Sequence, residues 1–333
     1  MLIEMKKDLL YIKNKQMKVL HITNNFPTEN LPIFGIFVKE QIDSLTALGV
    51  ENEVFFMNTR EKGKKEYLKG YFKLVKLLLH NRYDVIHCHH AYSGFIFIFT
   101  GLSFFTKRIL SYQGTPDIEG GRFLFNISSR FFNSIILKAN FQEYKNNKTV
   151  YLPNGTNIEF FKPLNKEQCK IDLGLDLKKQ YVLFMDSYVG RPFKRYDRFK
   201  AVTQLLREKY GIQNLGELVL TNTKRELIPQ YINASSFHLL TSDVEGSPNS
   251  VKECLSCNIP IVSTPVGNAS EIIGDVKGCY ISKTFDPEEL ANLCEKVLKA
   301  EDFNGREDFL SKKLDIGTVA KSLLSVYEKI INN

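Results

Sequence analysis

Short apolar runs recur along the chain and alternate with longer segments whose apolar residues follow helical spacing. The runs predict β-strands at residues 17–23, 54–57, 84–90, 109–112, 181–185, 218–221, 237–240 and 259–263. Helices are predicted at residues 36–48, 92–105 and 316–330, and Gly49 is a typical signal for the end of the first. Because strands alternate with helices, we expect doubly wound parallel sheets, and 333 residues suffice for two domains.

The stretch from residue 237 to residue 263 combines a strand, a loop, a helix and a second strand. Ser247 can cap the helix and Pro248 can open it, so that it runs to about Cys257. The loop lies at the carboxyl end of a strand, where open α/β sheets bind ligands. The free N–H groups of a helix N-terminus suit a phosphate.

Two acidic residues flank this loop. Glu245 stands at the exit of the first strand, and Glu253 lies about a turn and a half into the helix. A carboxylate repels phosphate but accepts hydrogen bonds from sugar or ribose hydroxyls. If both acids face one crevice, the stretch predicts a nucleotide-sugar site. Two glutamates at this spacing alone are also typical of a solvated helix end.

The same residues resemble a known family. Glu245, seven residues, Glu253 and then Cys-Asn-Ile-Pro-Ile-Val-Ser at 257–263 resemble the signature of retaining glycosyltransferases of family 4. The family usually has Gly-Phe-Gly-Leu after the first glutamate, whereas this chain has Gly-Ser-Pro-Asn at 246–249. Pro248 has no N–H group, so that only the flanking amides can donate to a ligand.

The resemblance covers about residues 17–331 and implies an α/β architecture of the GT-B type, with two Rossmann-like doubly wound parallel-sheet domains facing a cleft. Residues 151–163 resemble the family's hinge. An acceptor-side N-terminal domain is therefore expected at residues 17–160 and a nucleotide-sugar-binding domain at residues 161–315. A closing helix at residues 316–331 is expected to cross back to the first domain.

The first domain also carries a resemblance. Phe26-Pro27 and residues 35–40 are similar to the N-terminal domain of capsule and teichuronic-acid glycosyltransferases. In that family a glycine amide approaches the donor phosphate, and Gly35 is the candidate here. A plain turn at Gly35 is the alternative.

The resemblance assigns roles to charged residues of the second domain. Glu253 is expected to bind the ribose hydroxyls and Glu245 the donor sugar. Lys194 and Arg191 are expected to hold the diphosphate, because the departing nucleoside diphosphate gains negative charge. Arg195 can substitute for either cation, and a basic surface loop is the alternative. The resemblance also implies a phosphate-binding segment at the helix start, formed by Gly246, Ser247, Asn249 and Ser250.

Residues 111–117 match a family segment that usually contains His-Gly-x-Asp. Gln113 stands in the place of the histidine that lies beside the donor sugar in the family. A glutamine amide can hydrogen-bond a hydroxyl but cannot titrate. Gln113 therefore indicates either a different sugar or a chain without activity of its own.

Residues 87–90 (His-Cys-His-His) have the composition of a metal-binding tract. Alternate residues of a strand point to opposite faces, so that no three of them converge easily, and no metal is expected. The resemblance makes the tract a strand end, with His89 or His90 near the acceptor.

The six cysteines show no framework spacing, which is typical of a reducing cytoplasm, and Cys254 and Cys257 are expected in the core.

Positive charge is concentrated in the first half: residues 1–160 hold 21 Lys+Arg against 14 Asp+Glu. Lysines alternate with aromatic and aliphatic residues between positions 62 and 77, which suits an anionic membrane surface and equally an ordinary solvated helix. Phe123, Phe125, Phe131 and Phe132 are expected in the core, with a lipid-facing role as the alternative. No nucleic-acid-binding motif accompanies the charge, and no nucleic-acid partner is expected.

Two further segments bear on location. Residues 90–106 lack charge but are shorter than the roughly 20 apolar residues of a membrane span, so that a buried helix is expected. Residues 1–16 lack the apolar core of a signal peptide and are expected to be an extension or a misplaced start. The protein is expected in the cytoplasm, either free or on the inner face of the plasma membrane.

The resemblance implies transfer of a sugar, with retention, from a UDP- or GDP-linked donor to a saccharide or lipid-linked acceptor in the synthesis of a surface polysaccharide such as capsule or lipopolysaccharide. Neither a cofactor nor an obligatory metal is expected. Two alternatives stay open. A sugar-nucleotide epimerase of the same fold would need catalytic acids and a histidine in the cleft. A non-catalytic partner of a transferase complex is indicated only by Gln113.

Overall fold

A computed structural model describes residues 16–187, 190–300 and 303–332. The proposed extension at residues 1–16 lies almost entirely outside this range. The described chain forms two α/β domains, each built on a parallel sheet, as the alternation of strands and helices predicts.

Within the described residues, the first sheet has six strands, in the order β2-β1-β3-β4-β5-β6, and every neighbouring pair is parallel. The strands are β1 Lys18–Thr23, β2 Glu51–Phe56, β3 Val85–His89, β4 Lys107–Ser111, β5 Ser134–Leu137 and β6 Thr149–Tyr151. The helices of this half are α1 Ile36–Ala47, α2 Thr59–Lys62, α3 Lys65–His80, α4 Ala91–Phe99 and α5 Gly121–Phe131.

The second described sheet has five strands, in the order β11-β10-β9-β7-β8, again parallel. The strands are β7 Gln180–Asp186, β8 Leu215–Thr221, β9 Phe237–Leu240, β10 Ile261–Ser263 and β11 Tyr280–Ile281. The helices are α6 Lys166–Asp172, α7 Tyr196–Glu208, α8 Ile228–Ala234, α9 Asn249–Ser256, α10 Ala269–Ile273, α11 Pro287–Lys299, α12 Gly305–Ser311 and α13 Ile316–Asn332. Single 3₁₀ turns lie at Leu102–Phe105, Gln142–Tyr144, Pro192–Lys194 and Arg225–Leu227.

Apolar clusters cover both faces of the first sheet, so that its inner strands β1, β3 and β5 are largely buried. The edge strand β2 begins with Glu-Asn-Glu and is more exposed. Val85 and Ile86 are neighbours on β3, yet they belong to separate apolar clusters on opposite faces. The cluster around Val85 is completed by the last helix, α13, which contributes Val319, Leu323, Tyr327 and Ile330. The end of the chain therefore packs against the domain at its beginning.

Three local predictions differ from the structure. The helix predicted at residues 92–105 ends as α4 at Phe99, because Gly101 adopts φ 71° and a 3₁₀ turn follows. The pair Gly120-Gly121 is typical of a flexible loop on the acceptor side, but helix α5 begins there instead. Phe123 is 74% exposed on that helix rather than in the core, whereas Phe125 and Phe132 are buried as predicted.

Candidate active site in the interdomain cleft

A cleft of about 380 Å³ lies between the two domains, at the carboxyl ends of their strands. Parallel sheets place these ends at one edge, where ligands bind in open α/β folds. All ten residues predicted for the site line this one cavity: Gly35, Gln113, Arg191, Lys194, Glu245, Gly246, Ser247, Asn249, Ser250 and Glu253. Their roles stay predictions, but the structure brings them together.

Lys194 and Glu245 form an ion pair on the second-domain side of the cleft. Lys194 Nζ lies 2.5 Å from Glu245 Oε1, and both side chains are largely buried. Ser242 Oγ donates to the same carboxylate oxygen at 2.7 Å. A charge-assisted contact of this kind holds the ammonium group and the carboxylate in fixed positions before any ligand arrives.

Arg191 lies on the loop that follows β7. Its Nε donates to Asp186 Oδ1 at 2.5 Å, and its guanidinium lies 5.3 Å from the centre of the Phe193 ring. Asp186 is itself buried at the end of the strand. Arg191 is therefore held at the mouth of the cleft by an acid and an aromatic ring.

Arg225, which sequence reasoning missed, links Glu253 to the first domain. Its Nη1 donates to Glu253 Oε1 at 2.8 Å, and its Nη2 donates to Glu40 Oε1 at 2.7 Å. The guanidinium also lies over the ring of Phe161, 4.6 Å from its centre. Within the predicted helix 36–48 Glu40 has the pattern of a surface or helix-supporting residue, but the structure makes it the partner of Arg225 across the two domains. Its position just after β8, at the edge of the sheet where ligands bind, could have marked Arg225 as a site residue from the sequence.

Burial raises the pKa of Glu40, and the nearby Glu253 carboxylate acts in the same direction, while Arg225 opposes both. One cation therefore has to serve two carboxylates on different domains.

Helix α9 begins at Asn249, with Pro248 in the capping position and no side-chain cap. The expected cap by Ser247 is wrong: its hydroxyl lies 3.0 Å from Lys252 Nζ instead. Lys252, fully buried, also donates to the carbonyl oxygen of Asn154 in the segment between the domains at 2.6 Å. The N-terminus of α9 therefore keeps its amides uncapped by side chains, as a phosphate would require.

Two glycines let backbone segments meet at the cleft. A Cβ atom on Gly246 would lie 2.7 Å from the carbonyl oxygen of Gln113, across the domain boundary. Gly35 adopts φ 70°, and a Cβ atom there would lie 2.3 Å from the carbonyl carbon of Asn25. Neither position tolerates a side chain without movement of the backbone it faces.

Glu119 shapes the loop that carries Gln113. Its Oε1 accepts from the backbone N–H groups of Gln113 and Gly114, both at 2.6 Å, and its Oε2 accepts from Ala91 N at 3.0 Å. Glu119 is buried, and His90 Nε2 lies 3.7 Å from it. Of the two histidines considered for acceptor contact, His90 lines the cleft and His89 is buried behind it.

Three histidines do converge in the first domain, because His21 on β1 lies beside His87 and His89 on β3. His21 pairs in register with His87 across β1 and β3, and His89 lies on the same face two residues further on. Their ligand atoms lie within 4.8 Å of one another, a composition that suits a metal. Every ring nitrogen of the three already has a hydrogen-bond partner, which leaves no lone pair free without rearrangement.

The six cysteines are all free and buried, so that Cys254 and Cys257 are core residues as predicted. Among the described residues, no helix has both the length and the apolar composition needed to cross a bilayer.

Family models match both halves of the chain. A model of "Glycosyl transferase 4-like" proteins matches residues 10–147, and a model of "Glycosyl transferases group 1" matches residues 189–312. Together with the two-sheet fold, these matches identify the chain as a glycosyltransferase of the GT-B type.

Individual relatives are distant. A glycosyltransferase of Methanocaldococcus jannaschii without a characterised activity is 22% identical over 298 residues, which cover 79% of this chain and 81% of the relative. TuaC of Bacillus subtilis, a glycosyltransferase assigned to teichuronic acid biosynthesis, is 22% identical over 389 residues, which cover 94% and 99% of the two chains.

Solved structures share the fold at lower identity. Sucrose-phosphate synthase of Thermosynechococcus elongatus aligns with a TM-score of 0.75 and 16% identity, covering 96% of this chain and 100% of that chain. HepE of Anabaena, in complex with UDP and glucose, aligns with a TM-score of 0.72 and 16% identity, covering 94% and 100%.

Proposed function

We propose that this glycosyltransferase moves a sugar, with retention of anomeric configuration, from a UDP- or GDP-linked donor to a saccharide or lipid-linked acceptor in surface polysaccharide synthesis. The observation that carries the proposal is the gathering of Glu245, Glu253, Lys194 and the start of α9 around one interdomain cavity. The likeness to TuaC supports the polysaccharide pathway, and the UDP complex of HepE supports a uridine nucleotide.

In this proposal each site residue binds a different part of the nucleotide-sugar donor. Glu253 accepts hydrogen bonds from the ribose hydroxyls, and the uncapped amides of Asn249 and Ser250 face the phosphates. Lys194 and Arg191 offset the negative charge that grows on the diphosphate as the glycosidic bond breaks. Glu245, already oriented by Lys194, accepts from a hydroxyl of the transferred sugar.

Retention follows, in this proposal, from attack on the same face of the sugar that the diphosphate leaves. The departing phosphate oxygen accepts the proton of the acceptor hydroxyl. No pair of carboxylates of the glycosidase kind is then needed. The chain requires no cofactor in this scheme.

The test is a panel of UDP-glucose, UDP-galactose, UDP-N-acetylglucosamine and GDP-mannose with the full chain, read out by calorimetry and by NMR analysis of products. Glu253→Ala is expected to weaken donor binding by roughly 10- to 100-fold, because hydrogen bonds to charged groups are lost. Glu295→Ala, at a surface ion pair on α11, is the matched control and is expected to bind normally. Absence of donor binding, or a Glu253→Ala chain that binds normally, would contradict the proposal. An altered donor sugar released without acceptor would indicate epimerisation instead.

We further propose that α3 rests on an anionic membrane, where a lipid-linked acceptor would lie. Its exposed lysines share the helix with Leu68, Phe72 and Leu79, which are between 64% and 66% exposed. Phe99 of α4, 71% exposed, lies nearby, since Tyr71 OH is 3.5 Å from its carbonyl oxygen. Large apolar side chains flanked by lysines suit the boundary between headgroups and acyl chains.

Co-sedimentation with vesicles tests this surface. Binding is expected with phosphatidylglycerol and not with phosphatidylcholine, and it is expected to weaken in Phe72→Ser. The control is Leu310→Ser, an exposed leucine of the second domain, which is expected to bind like the unaltered chain. Equal binding to both kinds of vesicle, or no effect of Phe72→Ser, would contradict the membrane surface.

A further inference from the structure

A row of hydrogen bonds leads from Asn52 through two buried histidines to Gln113 at the cleft. Asn52 Oδ1 lies 2.9 Å from His21 Nε2, and His21 Nδ1 lies 3.0 Å from His89 Nε2. His89 Nδ1 lies 3.3 Å from Gln113 Nε2. Both histidines are buried, so that solvent does not compete for their ring nitrogens.

The direction of every bond in this row follows from its first member. The amide nitrogen of Asn52 donates to Thr46 Oγ1 at 2.9 Å and to the carbonyl oxygen of Val50 at 3.0 Å. The amide oxygen is therefore the atom that faces His21, and an amide oxygen can only accept. His21 must carry its hydrogen on Nε2.

The remaining orientations follow in turn. Burial lowers the pKa of His21 to about 4, so that the ring is neutral at pH 7 and its Nδ1 is a lone pair. His89 therefore donates from Nε2. Burial also lowers the pKa of His89 well below its ordinary value, so that its Nδ1 is a lone pair as well. Gln113 must then donate its Nε2–H to His89 and turn its Oε1 away.

Gln113 Oε1 is buried and, within the described part of the chain, has no hydrogen-bond partner. Gln113 lines the cleft. A buried amide oxygen without a partner is costly, and it points to a donor that a ligand supplies.

We propose that His89 and His21 are positioning residues that hold the Gln113 amide so that its oxygen accepts from one hydroxyl of the donor sugar. This inference rests on the proposed function, since it takes the occupant of the cleft to be a nucleotide sugar. It makes Gln113 a specificity residue: the site requires a hydroxyl that donates, and an analogue in which fluorine replaces that hydroxyl is rejected as strongly as the deoxy sugar.

Histidine ¹⁵N NMR of the ligand-free full chain tests the orientations without any sugar. His21 and His89, assigned by His21→Gln and His89→Leu, are each expected to carry hydrogen on Nε2 only, unchanged between pH 6 and pH 8. A hydrogen on Nδ1 of either ring, or a doubly protonated ring in that range, would overturn the inference.

Kinetics with UDP-glucose, or with whichever member of the panel is consumed, tests the consequence. The unaltered chain is expected to lose roughly 10- to 100-fold in kcat/KM with one deoxy analogue and with its deoxyfluoro counterpart. Gln113→Leu and His89→Leu are expected to shrink that ratio to about 3-fold or less. His87→Gln is the control from the same cluster, because His87 bonds Ser111 and Tyr327 rather than Gln113, and it is expected to keep the ratio.

The outcomes separate the two proposals. A chain that consumes the donor but treats all deoxy analogues alike would overturn this inference and leave the proposed function standing. Discrimination that survives in His89→Leu would show that the histidines do not position Gln113. Failure to consume any donor would overturn both proposals, whatever the ring spectra show.

Discussion

Arg225 donates a hydrogen bond of 2.8 Å to Glu253, the acid expected to bind ribose. The same guanidinium reaches Glu40 on α1, so that the ribose acid is tied to the opposite domain in the ligand-free molecule. Removal of the cation would leave two carboxylates close together and largely buried. The interdomain contact and the nucleotide site therefore share one residue.

Arg225→Met is expected to lower the free energy of unfolding by about 3 kcal/mol, the usual cost of leaving a buried charge without its partner. Urea unfolding at pH 7 measures this change. Arg225→Met combined with Glu40→Gln is expected to regain about half of the loss, because one of the two uncompensated acids is gone. If the double variant is no more stable than Arg225→Met, the two acids do not repel each other through this site.

Lys138→Met is expected to stabilise the protein. Lys138 is fully buried at the end of β5, and its Nζ has no hydrogen-bond partner among the described residues. Burial lowers its pKa from 10.5 to about 7, so that the unfolded chain holds this proton more tightly. The loss of folding free energy caused by burying the charged ammonium group is complete below pH 7. It fades as pH rises towards 10.5, because the folded protein releases this proton before the unfolded chain does.

Urea unfolding is expected to show a gain of about 2 kcal/mol for Lys138→Met at pH 7 and a smaller gain at pH 10. Lys296→Met, at an exposed position on α11, is the control and is expected to change stability by less than about 0.5 kcal/mol. A loss of stability in Lys138→Met at both pH values would mean that the ammonium group makes a favourable interaction.

Acid is expected to destabilise the fold through its buried histidines. Burial lowers the pKa of His21 and of His238 from 6.5 to about 4. Between pH 6.5 and pH 4 these histidines become protonated in the unfolded chain but stay neutral in the folded protein. The stability that each neutral ring contributes is therefore complete above pH 6.5 and is lost as pH falls towards 4.

Unfolding curves collected from pH 8 to pH 4 are expected to show this loss, with a slope of about 1.4 kcal/mol per pH unit for each histidine. His238→Gln is expected to make the slope shallower by one such contribution, since the partners of the His238 ring among the described residues are Leu183 O and Ser250 Oγ. If the free energy of unfolding depends on pH equally in the unaltered protein and in His238→Gln, the neutral His238 ring does not contribute to the acid sensitivity.

Gly246→Ala is expected to reduce donor turnover at least about 10-fold, because its methyl group would lie 2.7 Å from Gln113 O and would force the domains apart. Gly114→Ala is the matched control, since a Cβ atom there would meet nothing nearer than Glu119 Oε1 at 3.7 Å. Small-angle scattering is expected to show a larger radius of gyration for Gly246→Ala than for Gly114→Ala. Equal radii would mean that the loop absorbs the methyl group.

The sheets were largely predictable because buried parallel strands form short runs rich in apolar residues. The runs that predict β1 and β9 match the observed strands within a residue. β5 and β6, of four and three residues, were not predicted, because a short apolar run does not by itself distinguish a strand from a buried helix segment. β9 is equally short, but the turn residues and the helix start that follow it identify it as a strand. Helix α5 was missed because it begins at a pair of glycines that are typical of a loop.

The predicted site residues share one cleft because each follows a strand or begins a helix at the same edge of its sheet. The hydrogen-bond partners of these site residues could not be predicted from local sequence patterns. Arg225 meets Glu40 across 185 positions, and His21 meets His89 across 68. Such contacts depend on which strands become neighbours, and a single sequence does not reveal the order β2-β1-β3.

Helix α13 buries Leu323 and Tyr327 against the first sheet, and Tyr327 OH lies 2.6 Å from His87 Nδ1. The apolar cluster on this face of the first domain is therefore incomplete until α13 has been synthesised. Without α13 the apolar groove lined by Val19, Val85 and Ile109 is exposed to solvent. Stop codons just upstream of Ile316 are expected to yield aggregates rather than a shorter working enzyme.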